Sequence, residues 1–508
     1  METRHNKVIA KNTMMLYFRM LLTMFIGLYT SRVILSALGV SDYGLYNVVG
    51  GVVTMFTFIN GSLSAGTQRF ITFELERGTL DSLKKVFSTS LIIHVVLAGI
   101  ILVFAETIGF WFVVNKMNFP TERLTAAIWT YQFSIIACMV SIVQVPFMSS
   151  LIAHEKMSIY AYMGIYDSFM KLIVAISITV VTYDKLIIYA FLILVVQLSS
   201  VFIYFFYCRK HYKECTFSLS FDKESFKKMF SFSAWDTIGS MAMIGQTQGV
   251  NIVINIFCGT VVNAARGISV TVNNLIMSFV NNFLMAANPQ IVKNYASGNL
   301  TEMFDLVINV AKLASCLLLL IGIPVFIDIE YLLSLWLGEY PEYAPTFVRI
   351  ILIQSWIQTL GIPTVKAMHA IGNIKAMNLM VGTLLFLILP FTYLFFKMGF
   401  SVSTVLLLNI IPWLIAIPIR LYLLKVYVNF PFGKFMVQVI LGGLLIALSC
   451  YSISFLIYKS LTFDGLFRFL VFAALSITAS AILIYVFVVP KNIKLYIKKV
   501  VQTKIIKR

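Results

Sequence analysis

Apolar runs of about 20 residues, each long enough to cross the roughly 30 Å hydrocarbon core of a bilayer as a helix, alternate with short polar connectors along the whole chain. Fourteen such runs can be placed, roughly at 13–37, 43–68, 86–110, 125–149, 159–182, 185–207, 231–257, 263–290, 304–327, 345–369, 376–396, 401–424, 435–458 and 465–488. Lipid offers no partner for backbone N–H and C=O groups, so runs of this kind must be helical. The polar faces that soluble helices require are missing. The pattern predicts an all-α, polytopic membrane protein with 14 transmembrane helices.

The pattern also occurs twice. At an offset of 220 positions, Gly39 falls on Gly259, Val52 on Val272, Ile71 on Ile291, Gly78 on Gly298 and Leu80 on Leu300, without a gap. A second correspondence lies at an offset of 217: Val145-Pro146 with Ala153, and Ile362-Pro363 with Ala370. Six runs precede a charged segment and six follow it, so both halves enter the membrane from the same side. Such parallel repeats, related by an axis along the membrane normal, suit an alternating-access carrier with its site at the repeat interface. The expected organisation is an N-terminal six-helix bundle over 1–208, a cytoplasmic linker over 209–228, a second six-helix bundle over 229–428, helices 13 and 14 over 429–490, and a basic cytoplasmic tail over 491–508.

Composition agrees with the pattern: 60% of the 508 residues are hydrophobic and 12% charged, with a mean hydropathy of +0.91, against about a quarter charged in soluble domains. The net charge of +18 could suggest nucleic acid, but its distribution argues against that partner. With the N-terminus inside, 27 of the 39 basic residues fall in cytoplasmic segments, the positive-inside bias. Both termini are therefore expected in the cytoplasm, with the tail along anionic lipid headgroups. The first run is too long for a cleaved signal peptide, carries Arg19 and Arg32, and leads straight into another. Six scattered cysteines form no CxxC pair, and the histidines show no ligand spacing. No phosphate loop, nucleophile elbow or dinucleotide fingerprint is present. No metal, cofactor or enzymatic activity is expected, and any transport is not driven by ATP bound to this chain.

The arrangement of 6 + 6 + 2 spans, with Leu38-Gly39-Val40-Ser41-Asp42-Tyr43-Gly44-Leu45-Tyr46 and Pro146…Ala153-His154-Glu155-Lys156-Met157, resembles the polysaccharide-type (Wzx-type) flippases of the multidrug/oligosaccharidyl-lipid/polysaccharide (MOP) exporter superfamily. The resemblance implies translocation of an undecaprenyl-diphosphate-linked oligosaccharide from the cytoplasmic to the outer leaflet of a bacterial inner membrane, for O-antigen or capsule. It implies membrane lipids and a glycan polymerase complex as partners. A lipid II flippase is a close alternative. A cation-coupled multidrug antiporter of the same superfamily would carry an acid in the first span, which here has two arginines and none. A non-transporting scaffold for glycan assembly is the alternative from another class.

A carrier of such a lipid needs fixed cations for the diphosphate and neutral hydrogen-bonding groups for the sugar, and intramembrane charges usually face a wet cavity. On a helical wheel Asn12, Arg19, Thr23 and Thr30 share one face of the first span, whereas Arg32 reads as a snorkelling anchor. Asn47, Gly50, Gly51, Thr54, Gly61 and Gln68 form a second stripe, open to close helix packing or to a cavity. In the second half Asp236, Ser240, Thr247 and Asn251 share a face, as do Arg266, Asn273, Asn281 and Asn288, with Asn274 and Asn282 beside them. Asp167 and Lys171 at i, i+4 fit a self-neutralised pair or a cavity. Lys312 fits either snorkelling or cavity lining, and His94 a packed core position. Candidate substrate-binding residues are therefore Arg19, Thr23, Lys171, Asp236, Arg266, Asn273, Asn281 and Lys312. The cations outnumber the carboxylates, which favours an anionic cargo, and Arg19 and Asp236 fall at matching depths of the two repeats, where they could pair.

Overall fold

The structure is a computed structural model that describes residues 2–55, 64, 67, 68, 70, 71, 74, 75, 79–154, 156–216, 223–371, 374–489 and 494, with side chains of the two longest helices described from Arg19 and from Ile244. It is all-helical. Among the described residues twelve helices are long and apolar enough to cross a membrane.

Two of them combine a length beyond a single crossing with a glycine break; the equally long stretch Leu80–Lys116 has no such break. Helix α1 (Glu2–Met55) has an apolar part, Arg19–Met55, of 37 residues, about 55 Å at about 1.5 Å per residue. Further along the chain, the helix Lys223–Ala296 has an apolar part, Ile244–Leu284, of 41 residues. Each breaks once, at a glycine: Gly39 has φ 77° and ψ 169°, and Gly259 has φ 78° and ψ −173°. This backbone region is essentially closed to residues with a Cβ. The two glycines stand 220 positions apart and adopt nearly the same conformation, which is the repeat written in backbone angles. Two crossings per broken helix is the reading under which fourteen spans fit on these elements.

Between the broken helices lie α2 (Leu80–Phe104), which continues through a wide π turn (Ala105–Gly109) into α3 (Phe110–Lys116), then α4 (Leu124–Ala153), α5 (Met157–Val180) and α6 (Lys185–His211). Thr79 opens α2 with a capping box shared with Ser82, and Asp184 caps α6 by accepting from the N–H groups of Leu186 and Ile187. The second broken helix is α7 (Lys223–Ala296). After it come α8 (Leu300–Ile327), α9 (Ile329–Leu337), α10 (Ala344–Ile371), α11 (Ile374–Phe386), α12 (Ile388–Lys397), α13 (Val402–Leu408), α14 (Ile411–Val428) and α15 (Phe432–Phe435). A π turn (Met436–Leu441) then leads into α16 (Gly442–Ser460), and α17 (Gly465–Phe487) follows. Pro146 and Pro363 lie inside α4 and α10. Both helices run on for about two more turns, ending at Ala153 and Ile371, as the second sequence correspondence anticipates.

The chain forms two compact units, one of Met1–Ala265 with Leu389–Tyr393, the other of Arg266–Ile388 with Leu394–Arg508. In the first, α1 packs on α5, and α4 on α2 and α6. Its core joins Leu45, Val48, Val49 and Val52 of α1 to Tyr131, Ile135 and Ile142 of α4. The two glycine corners meet inside this unit: a Cβ on Gly44 would stand 1.9 Å from the Thr260 carbonyl oxygen, so only glycine allows the approach. The Ser41 and Thr260 hydroxyls lie 3.2 Å apart beside it. In the second unit α10 packs on α8 and α14, and α8 also packs on α16 and α17.

Nothing lies within 4 Å of a Cβ built on Gly39, Gly259 or Gly50, and Gly50 sits in ordinary helix. Alanine at Gly39 or Gly259 is therefore expected to cost roughly 1–3 kcal/mol through backbone strain alone. The same change at Gly50 should be neutral or stabilise by up to about 1 kcal/mol. Thermal unfolding of the purified protein in detergent, followed by helical circular dichroism, separates the two cases; equal melting shifts would mean the corners carry no strain-sensitive turn.

Candidate functional site

In the first unit a polar cluster is built on α1, α5 and α6. The Arg19 guanidinium lies over the Tyr160 ring, 4.8 Å from its centroid. Its Cδ passes 3.0 Å from where a Cβ on Gly164 would be, so the glycine makes room for the side chain. Ser200 of α6 donates to the Asp167 carboxylate, and the Tyr204 phenol is within electrostatic reach of Asp167, Tyr160 and Arg19. Arg19 is thus held by an aromatic face. The Thr23 hydroxyl donates back to the Met20 carbonyl at 3.1 Å. Lys171 is exposed, and Asp167 bonds to Ser200 rather than to Lys171. The self-neutralised pair allowed by the sequence does not form among the described residues. The side chains of Asp236, Ser240 and Asn288 lie outside the described residues, and so does any Arg19–Asp236 pair. His94 is buried with Nδ1 2.7 Å from the Ser90 carbonyl oxygen, the packed core position expected of it.

Amides of the same unit serve as ties. Asn263 donates to the backbone carbonyl and side-chain oxygen of Asn251, at 2.8 and 2.7 Å. Asn255 bonds both the N–H and the C=O of Asn118, at 2.9 and 3.0 Å. One arginine ties down the chain just past Gly39: Arg123 donates to Asp42 at 2.9 Å and 2.5 Å and to Asp184 at 2.5 and 3.1 Å. Burial raises the Asp184 carboxyl, but the Arg123 bonds and its helix-capping role outweigh that and hold it below the usual carboxylate range.

In the second unit Arg266 is 6% exposed and makes no ion pair among the described residues. Asn273 accepts from the Ser355 hydroxyl at 2.7 Å, joining α7 to α10, while Asn274 and Asn281 are exposed. Lys312 is set apart from these. It lines a cavity of about 630 Å³ enclosed by α8, the π turn with α16, and α17.

One residue escaped the sequence reading. Arg420 of α14, which the charge count assigns to the cytoplasmic set, is 7% exposed in the structure. Its Nε has no hydrogen-bond partner, and its Nη1 lies 3.0 Å from the Cβ position of Gly361. The second unit's carboxylates are engaged elsewhere or exposed: Asp305 pairs with Lys434, Glu330 with Arg349, and Asp328 and Asp464 with Arg468, while Glu302, Glu339 and Glu342 are exposed. The available signal was Gly361 next to Pro363 on the helix that packs against α14, a gap that a long side chain can fill.

No protein-family model matches the sequence, and no curated protein does either. Solved structures do. The fold is similar to an inward-facing multidrug resistance transporter of the MATE family of the MOP superfamily, at TM-score 0.65 and 13% identity, covering 80% of this chain and 96% of that one. It is similar to the lipid II flippase MurJ in an inward closed conformation, at TM-score 0.64 and 14% identity, covering 94% of this chain and 99% of that one. A MOP superfamily transporter from Pyrococcus furiosus, described as having a binding pocket of reverse polarity, aligns at TM-score 0.62 and 14% identity over 84% of this chain and 96% of its own. The chain therefore has the fold of MOP superfamily transporters.

If the Tyr160 face holds Arg19, Tyr160→Leu should lower stability by about 0.5–2 kcal/mol, whereas Tyr160→Phe keeps the ring and most of the stability. Combining either change with Arg19→Met should remove the difference between them. A double-mutant cycle on melting temperatures reads this out, and a coupling of zero would mean the stacking is incidental.

Proposed function

We propose that the chain is a flippase that moves undecaprenyl-diphosphate-linked glycan repeat units from the cytoplasmic to the outer leaflet of a bacterial inner membrane by alternating access between its two repeats. The observation that carries this reading is the pair of buried guanidiniums in the second unit, Arg266 and Arg420, which none of that unit's carboxylates neutralises. A buried unpaired charge costs several kcal/mol. An anionic cargo relieves that cost while bound and restores it on release, which suits groups that must bind and let go. A guanidinium meets phosphate oxygens through two parallel N–H donors, better than an ammonium can. Arg19 offers a third cation of this kind in the first unit, and the exposed amides Asn274 and Asn281 suit sugar hydroxyls.

Coverage of the chain supports a flippase over a drug antiporter. The multidrug transporters named MATE align with 80–85% of this chain and MurJ with 94%. The first span offers no acid for a coupling ion or a cationic drug. Lipid II is the second reading, favoured by that same coverage, since it also joins a diphosphate to a polyprenyl chain. The topology belongs to the proposal: both termini and residues 209–228 in the cytoplasm.

Cells lacking the protein should accumulate a complete undecaprenyl-linked repeat unit on the cytoplasmic face. Arg266→Ala and Arg420→Ala should each cut surface glycan at least tenfold at matched expression, the loss of about 1.5 kcal/mol of charge-assisted bonding; Arg→Lys should retain part of it. Accumulation of lipid II instead would select the second reading. Loss of an early intermediate would point to an enzyme or scaffold and overturn the flippase.

A further inference from the structure

The cavity that contains Lys312 lies between α8, α16 and α17 of the second unit and measures about 630 Å³, inside the range of roughly 300–1,000 Å³ typical of small-molecule pockets. Its wall is mostly apolar, with Leu445, Ile446, Leu483 and Phe487 contributing. Four polar side chains break that wall: Ser315 and Ser449 bond back to carbonyls of their own helices, whereas the Lys312 ammonium and the Gln438 amide have no hydrogen-bond partner or ion pair among the described residues. Gln438 stands on the π turn Met436–Leu441, a wide turn of the kind often found at functional sites. An exposed amide and an ammonium in apolar helices are costly unless something pairs with them.

The charges around the pocket define what fits. Lys312 is in electrostatic reach of Lys434 and Asp305, and those two already pair with each other at 2.7 Å. The group of three carries one net positive charge, and Lys312 holds it. Lys312 lies twelve residues into α8, about 18 Å from its start, within reach of the headgroup layer for a side chain that extends towards the interface. Lys434 opens the α15–α16 stretch and Phe487 closes α17, so the pocket opens at the membrane edge where the positive-inside reading puts the anionic cytoplasmic leaflet. We propose that this pocket is a binding site for an anionic glycerophospholipid of that leaflet, with the monoanionic phosphodiester on Lys312 and Gln438 and one acyl chain along Leu445, Ile446, Leu483 and Phe487. The site is separate from Arg266 and Arg420, and it stands whether the cargo is a glycan repeat unit, lipid II or something else.

The test uses the full-length protein in detergent, titrated with phosphatidylglycerol or phosphatidylcholine and observed by native mass spectrometry and thermal shift. Wild-type protein should bind one phosphatidylglycerol in preference to phosphatidylcholine. Lys312→Met, which keeps the stem but not the charge, should weaken phosphatidylglycerol binding about tenfold, with phosphatidylcholine unchanged. Gln438→Leu should weaken it by a smaller factor, and Lys312→Arg should retain it. Equal binding of the two lipids by wild type, or equal phosphatidylglycerol binding by wild type and both neutral variants, would overturn the site. Undecaprenyl phosphate outcompeting phosphatidylglycerol in a Lys312-dependent way would overturn the assignment to a phospholipid. If Lys312→Met fails to purify, Gln438→Leu against Lys312→Arg gives the same comparison.

Discussion

A chain in hydrocarbon cannot leave a backbone N–H or C=O unpaired, and every other feature of this molecule is arranged around that constraint. Helices satisfy it along their length but not where the chain turns. At two corners, Gly39 and Gly259, the backbone breaks with φ near +78° and ψ near 180° and resumes helix almost at once. The corner costs no loop, so very little backbone is left without a helical partner. It also brings backbone against backbone. Gly44 approaches the Thr260 carbonyl more closely than any Cβ would permit, a contact of the small-residue type that packs helices where the hydrophobic effect gives no drive. The amide ties Asn263–Asn251 and Asn255–Asn118 then fix the first unit around these corners.

Charge is handled differently in the two units. In the first, the carboxylates that matter are satisfied internally: Asp42 and Asp184 by Arg123, Asp167 by Ser200. Arg19 rests on an aromatic ring, which stabilises a cation by roughly 0.5–2 kcal/mol without neutralising it. In the second unit the carboxylates sit with Lys434, Arg349 and Arg468 or in the exposed set, so Arg266 and Arg420 keep a full charge out of water. A charge held this way costs several kcal/mol, and ionisable residues kept inside membrane segments are a functional-site hypothesis by default.

The sequence revealed the helical architecture because membrane helices are written in composition, which needs no tertiary knowledge. It revealed the repeat because only glycine tolerates the corner, so Gly39 and Gly259 show through an otherwise low identity; Pro146 and Pro363 mark their helices for a similar reason. The candidate site was less legible. A helical wheel tells which residues share a face but not what the face meets. It placed Arg19 on a polar stripe without showing Tyr160 beneath it, and it left Lys312 open between snorkelling and cavity lining without showing the pocket it lines with α16 and α17. Arg420 was missed because a basic residue near the end of a span reads as an anchor. Its burial depends on Gly361, a residue 59 positions away in the sequence.

The same backbone corner serves two different chemistries, and this bears on how such a molecule can work. Asn251, Asn255 and Asn263 surround the Gly259 corner and spend their hydrogen bonds on the protein itself. Past the corner on the same helix, Asn274 and Asn281 are exposed and Arg266 is buried without a counter-ion. The first part of this helix is tied to the protein, while the second part keeps some polar groups, Arg266, Asn274 and Asn281, without a side-chain partner among the described residues. Ligand binding can bias a conformational equilibrium only through a difference in interaction between states. Unpaired groups supply that difference, because their cost is present without cargo and removed with it. Groups already satisfied, such as Asn255 or Arg123, supply none. On the proposed flippase reading, the charged groups able to couple cargo to motion are the ones the fold leaves unpaired, and in the described parts of this chain the buried ones are the guanidiniums of Arg266 and Arg420 rather than carboxylates.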